Sequence, residues 1–271
     1  MATVIPRSYI ENYSKALNGI SDTAKEKLII ALQQVDYSRP VAEVRDAVIA
    51  IMQAACGAST DVSARLAADF FDGLRERMVG EPLGAVADSM RNPDATDGAI
   101  RAFIQVIVDG GDVDDFINRC AGRLDYENNR AANLCIASNA KRDPLKPRIA
   151  RVPMGDETCA YCLILASRGF AYMSDEAASH THENCDCKLI VEWGDDPTIE
   201  GYEESLSGYR ALYEAARKLL KDDDKPEELR LRIASARNKH LSDLAKGITK
   251  TKWTELNELV ICARWLNPAL H

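Results

Sequence analysis

The sequence predicts a mainly α protein with a small α/β (α+β) module set between a helical N-terminal region and a helical C-terminal tail. Three observations predict it. Apolar residues recur at three- and four-residue spacings through residues 1–140 and again after residue 197. Between those regions the composition changes abruptly, with three prolines and five basic residues in KRDPLKPRIARVPMGD. Half of the eight cysteines and two of the four histidines then fall within Arg151–Trp193. The expected division is a helical domain over 1–140, a Cys/His-rich module over 141–196 and a helical region over 197–271.

The elements follow in order. Between Tyr9 and Val35, Ile10, Tyr13, Leu17, Ile20, Leu28 and Leu32 form an apolar stripe, and Ser21 beside Asp22 is placed to cap a second helix within it. Pro40 starts a segment carrying Val41, Val44, Val48, Ile51 and Met52, which is expected to end at Gly57. Ser59-Thr60-Asp61 then restarts the helix, with Leu66, Phe70, Leu74 and Met78 at four-residue spacing. Gly80-Glu81-Pro82 and Arg91-Asn92-Pro93-Asp94 read as breaks. A helix is expected over Ala95–Val108 and, after the turn Asp109–Asp112, a long one over Val113–Ala140.

Pro144 and Pro147 end that helix and force an extended path, so Arg148–Pro153 reads as a short strand. The basic cluster Lys141, Arg142, Lys146, Arg148 and Arg151 reads as a solvated linker, because no aromatic residue is interleaved with it. Beyond Trp193 come a loop and three helical stretches, near Ile199–Leu220, Pro226–Lys246 and Lys252–Trp265. The last carries Trp253, Leu256, Val260 and Ala263 at helical spacing and is expected to dock on the body of the protein.

The formal net charge of −8 disfavours tight nucleic-acid binding by the chain as a whole. The N-terminus lacks a signal-peptide pattern, and no unbroken apolar run reaches the ~20 residues of a membrane span. The cysteines are therefore expected to start reduced, and paired cysteines in that setting point to metal or redox work. Cys56, Cys120, Cys135 and Cys262 stand singly on helical stripes and read as small buried hydrophobes.

The chemistry concentrates in Cys159-x-x-Cys162 and His180-x-His182-x-x-Cys185-x-Cys187. Two close pairs of soft ligands separated by a gap suit a tetrahedral Zn²⁺ site, making the module zinc-binding in type. Thr158 is placed to cap a short helix, Cys159–Arg168, that Gly169 terminates. Cys185 and Cys187 precede a strand over Lys188–Trp193, where alternate residues share a face. The candidate ligands are Cys159, Cys162, His182, Cys185 and Cys187, five groups for four places, with His180 as a sixth.

Other readings of the cluster are less well matched. Thioredoxin-type redox work needs a βαβ setting that the pattern lacks. The zinc-deaminase order, H-x-E before P-C-x-x-C, is reversed and incomplete here. His182-Glu183-Asn184-Cys185 breaks the zinc-protease H-E-x-x-H. A zinc-dependent hydrolase or toxin-like effector would rely on Glu183 or Glu157 as its base, and a nucleic-acid-binding zinc module on Lys141–Arg151. A structural metal, with no catalytic residue, is the expectation.

The wording of this segment resembles the Mu F-like minor head proteins of tailed bacteriophages, also called head morphogenesis proteins, in the form found in actinobacterial phages and prophages. The residues that carry the resemblance are Val152-Pro153-x-Gly155, Thr158-Cys159-Ala160-Tyr161-Cys162, Leu165-Ala166-Ser167-Arg168-Gly169 and His182-x-x-Cys185-Asp186-Cys187. Arg123-Leu124-Asp125, Asn139 and Arg142-Asp143 sit where that family has similar words. Some relatives place a histidine directly before the cysteine, which leaves the histidine ligand open between His182 and His180. The resemblance implies a minor virion component inside the phage head, made in the host cytoplasm and acting in head assembly and genome delivery. Its implied partners are the portal, the major capsid protein and packaged DNA.

Overall fold

Three long helices organise the N-terminal half: α1 (Arg7–Gln33), α2 (Val41–Val79) and α5 (Val113–Arg142). The short helices α3 (Pro93–Phe103) and α4 (Gln105–Val108) lie between the last two. This is a computed structural model, and it describes residues 4–155, 158–172, 185–194, 198–245 and 252–270. His180, His182, Glu183 and Glu157 lie outside the described residues.

The bundle holds two apolar cores. One end buries Leu28 and Leu32 of α1, Val44, Val48 and Met52 of α2, and Phe116, Cys120 and Leu124 of α5. The other buries Ile10, Tyr13 and Leu17 of α1, Phe70, Phe71 and Leu74 of α2, and Cys135, Ile136 and Ala140 of α5. Helices α2 and α5 therefore run parallel, with α1 antiparallel to both. A polar layer crosses between the cores. Asn128 Nδ2 donates to Ser21 Oγ at 3.1 Å, and Glu127 accepts from Thr96 Oγ1 at 3.3 Å while pairing with Arg123 and Arg130.

That layer explains where α1 departs from expectation. Ser21 caps nothing: α1 runs unbroken through it, and the buried hydroxyl meets α5. Helix α2 likewise continues through Gly57. Ser59 and Thr60 do not restart it, since their hydroxyls donate back to the carbonyls of Ala55 and Cys56 one turn earlier. The expected break at Gly80 is present, with φ of +98° and its N–H on the Glu76 carbonyl, a left-handed helix end that suits glycine. Asn92 caps α3 by accepting from Ala95 N. The helix expected over Ala95–Val108 is divided at Ile104 into α3 and α4.

Helix α2 contains a window long and apolar enough, by length and composition, to cross a membrane, although no unbroken apolar run marks it. Its packing against α1 and α5 accounts for that composition.

Two small sheets follow. Strand β2 (Arg148–Val152) pairs antiparallel with β3 (Lys188–Glu192), with Arg148 opposite Glu192 and Val152 opposite Lys188. Strands β1 (Val4–Ile5) and β4 (Thr198–Ile199) form a parallel pair that the sequence pattern does not announce. Both faces of the β2/β3 pair are buried, and its apolar residues join the second bundle core. The chain then forms α7 (Glu203–Lys221), α8 (Glu227–Ala245) and α9 (Glu255–Leu266). With α6 (Ala160–Ala166) they enclose a separate core of Ala160, Ile164, Ala216, Leu229, Leu259 and Cys262. The terminal helix docks on the body as expected, against α6 and α7.

Candidate metal centre

Strand β2 ends at Val152, and Pro153–Gly155 leads toward α6. Cys159 is itself the N-cap of α6, its Sγ accepting from Cys162 N at 3.2 Å, so Thr158 does not hold the expected capping position. Thr158 Oγ1 instead donates to Asp186 Oδ2 at 3.4 Å. Helix α6 stops at Ala166, and Gly169, with φ of +59°, turns the chain so that Tyr172 pairs with Ile149 of β2. The Tyr172 hydroxyl donates to the Leu165 carbonyl at 2.7 Å, tying that return to the helix.

From the other side, Cys185-Asp186-Cys187 runs into β3. Helix α5 fixes its register: Asn133 Oδ1 accepts from Leu189 N at 3.2 Å, and Asn129 Oδ1 accepts from Lys188 Nζ at 2.6 Å. Lys188, at the head of β3, turns toward α5, while the sulfurs of Cys185 and Cys187, just before the strand, meet that of Cys162 on α6.

The sulfurs of Cys162, Cys185 and Cys187 lie within 4.8 Å of one another, and Cys162 and Cys185 are 3.5 Å apart. All three residues are buried, and half-buried Cys159 packs against them. A Zn–S bond of ~2.3 Å in a tetrahedron separates sulfurs by ~3.8 Å, so this spacing suits such an ion. Three soft donors, one on α6 and two in the segment just before β3, fit zinc by chemistry as well as by distance.

Proton affinity sets up a competition with any ion. Hydrogen bonding to the sulfurs of Cys159, Cys185 and Cys187, reinforced by burial, pushes the Cys162 thiol far up, and burial does the same to Cys187. Without a metal these groups hold their protons, so a metal that binds them must displace protons.

Of the five predicted ligands, the structure brings together Cys162, Cys185 and Cys187, with Cys159 beside them; His182 lies outside the described residues. Sequence reasoning missed two neighbours. Arg151, read as part of a solvated linker, is fully buried, and its Nη1 lies 3.6 Å from Cys185 Sγ. Its place in a strand buried on both faces is the signal that bears on it. Asp186, which the sequence shows only as the residue between two cysteines, accepts from Gly155 N at 2.7 Å through Oδ2 and so ties the two cysteine loops.

Over residues 4–216 the chain matches the family model described as VG15 protein. The chain belongs to the VG15 protein family. That membership supports a phage protein. No curated protein and no solved structure matches the chain. The VG15 match spans the bundle and the cysteine centre and ends within α7, leaving α8 and α9 beyond it.

In this VG15 protein the centre sits at a junction. Cys185 and Cys187 lead into β3, which packs in the bundle core, while Cys162 lies on α6, whose Ala160 and Ile164 pack in the C-terminal core and whose Leu165 packs in the bundle core. An ion held by these sulfurs would join the two.

Proposed function

We propose that this VG15 protein is a minor structural component of a tailed-phage head, associated with the portal and acting in head assembly and genome delivery. The cysteine centre holds a structural zinc ion. Cys162, Cys185 and Cys187 are ligands, with the fourth place taken by Cys159 or by a histidine of the 180–182 pair. The ion's role is to fix α6 and its C-terminal core to β3 and the bundle, and no step on a substrate is assigned to it. The observation that carries the structural part is the convergence of three buried sulfurs, one from α6 and two from the segment that leads into β3. The head assignment is supported by VG15 membership together with the Mu F-like wording of Val152–Cys187.

Elemental analysis of protein purified without added zinc tests the first part: about one zinc per chain is expected, lost in Cys162→Ser. A folded protein without zinc, with every centre thiol open to titration, would end the metal reading. Mass spectrometry of purified virions tests the second. The protein should accompany portal and capsid proteins at low copy, and its absence from virions that contain both would end the head reading.

A further inference from the structure

Two faces of this chain carry opposite charge around exposed apolar residues. The first is the turn between α4 and α5. Val108, Asp109, Gly110, Gly111 and Asp112 are all exposed, Val108 at 52%. Between Arg101 and Arg119 the sequence has four acids, Asp109, Asp112, Asp114 and Asp115, and no Lys or Arg. Arg119 answers Asp115 at 2.9 Å. Asp109 accepts from the neutral Gln105 side chain, and Asp112 accepts from Asp114 N as the cap of α5. Among the described residues no cation pairs with Asp109, Asp112 or Asp114.

The second face is a groove beside α8, a helix in which Leu229 is the one buried residue. Past Leu229, α8 carries Arg230, Arg232, Arg237 and Lys239 against a single acid, Asp243, in a chain whose 42 acids outnumber its 34 bases. Arg232 lies over the Trp265 ring. Lys225, Arg230 and Arg237 instead stand around a cleft of about 550 Å³ between α7, α8 and α9, with Leu220, Ile233 and exposed Leu241 as its apolar walls. Lys225 and Arg230 donate to the carbonyls of Asp222 and Asp223, neutral partners that leave their charge in place. Arg237 makes no ion pair among the described residues. The one acid of the lining, Glu258, accepts from Trp253 Nε1 at 2.9 Å.

We propose that the groove of one copy of this chain receives the acidic turn of another, Val108 seated among the apolar walls and Asp109 and Asp114 facing Arg230 and Arg237. Both faces are exposed within one copy, so the contact is between copies. Two different faces meet, which makes the association head-to-tail and open to further copies. The apolar contact supplies affinity, while the charges steer the encounter and fix its register. A nucleic-acid backbone would answer the arginines but leave the apolar walls unmatched, which favours the turn as occupant. The turn lies within the span matched by the VG15 model and the groove lies beyond it. The proposal depends on neither the metal reading nor the head reading.

Sedimentation velocity of the full-length protein as isolated, over a range of concentrations at low and high salt, provides the test. The mean mass should rise above that of one chain with concentration at low salt, and association should weaken at least about ten-fold at high salt, where exposed charges are screened. Arg237→Glu, at an exposed position, should lose association at least about ten-fold, and so should the double variant Asp109→Lys with Asp114→Lys. Mixing the two variants should restore it, because one keeps an intact turn and the other an intact groove.

A parent protein that stays monomeric throughout would overturn the proposal. So would variants that associate as the parent does, or a mixture that stays monomeric. Fluorescence anisotropy with a short DNA duplex covers the rival occupant: duplex binding that Arg237→Glu abolishes, in a parent that does not self-associate, would make α8 a phosphate-binding face and end this reading.

Discussion

Gly155 and Asp186 face each other across the two cysteine loops, with the Gly155 N–H donating to Asp186 Oδ2 at 2.7 Å. A Cβ at residue 155 would lie 2.4 Å from that oxygen, so the constraint at this glycine is space. Gly155→Ala must push the loops apart. It is expected to cost about 1–3 kcal/mol in chemical unfolding of the zinc-loaded protein, the range for overpacking a tight site. Asp186→Asn keeps an acceptor and should cost less than Asp186→Ala. Equal losses in those two variants would remove the hydrogen bond from the account.

A second tie joins the end of the bundle to the sheet. Asp143 Oδ2 accepts from Arg75 Nε at 2.8 Å and from Trp193 Nε1 at 2.8 Å, while Oδ1 accepts from Leu145 N. Burial alone would raise the Asp143 pKa, but the Arg75, Leu145 and Trp193 hydrogen bonds outweigh it and hold the carboxyl below its ordinary value. A carboxylate with a depressed folded pKa gives stability that is present above its unfolded pKa, near ~3.9, and lost as pH falls through the folded value. Asp143→Asn should therefore cost about 1–3 kcal/mol at pH 7, because Arg75 loses its buried carboxylate partner while its Nη1 still donates to the Glu81 carbonyl at 2.7 Å. The gap between variant and parent should close as pH drops below about 4. Urea midpoints measured from pH 7 to pH 3 check both statements.

The sequence made local features legible and left non-local ones hidden. The breaks at Gly80 and Arg91–Asp94 and the two cysteine pairs declare themselves by type and spacing, because each is built from a few consecutive residues. Ser21 and Gly57 misled for the same reason. Inside a helix their types signal an end, and only the partner across the bundle (Asn128 for Ser21) shows why the helix continues. Strands β1 and β4, two residues each, are too short for any periodicity to register. At the centre, spacing singled out the cysteines, three of which converge, but the burial of Arg151 and the Asp186–Gly155 bond depend on β2 pairing with β3, which no local pattern contains.

Helix packing at the far side of the bundle gives a sign-reversal test. A Cβ added at Gly73 of α2 would lie 2.3 Å from the Tyr9 hydroxyl and 3.7 Å from the ring carbon that bears it. Tyr9 cannot swing aside freely, since its ring stacks on Phe70 at 5.2 Å. Gly73→Ala should thus destabilise the protein by about 1–2 kcal/mol, although alanine is the better helix former by about 1 kcal/mol. In a Tyr9→Phe background the clash is gone and the same substitution should stabilise. A thermodynamic cycle over the four proteins gives the coupling, and a coupling near zero would refute the contact.

Cys159 caps α6 and stands beside the three buried sulfurs, and one substitution separates capping from ligation. As the N-cap of α6 it accepts from Cys162 N through its sulfur, a role that serine fills at least as well. As a zinc ligand it would supply a thiolate, which serine would not. Cys159→Ser should therefore leave the chelated protein as stable as the parent, or up to about 1 kcal/mol more so. If Cys159 is the fourth ligand, zinc affinity falls sharply in the same protein, and the ultraviolet thiolate-to-metal band of the Co²⁺-substituted form weakens by one thiolate's share. If a histidine completes the site, both stay at the parental level, while His182→Ala or His180→Ala reduces the affinity. Cys162→Ser should abolish binding in either case, since Cys162 alone brings a buried sulfur from α6 to the pair at the head of β3.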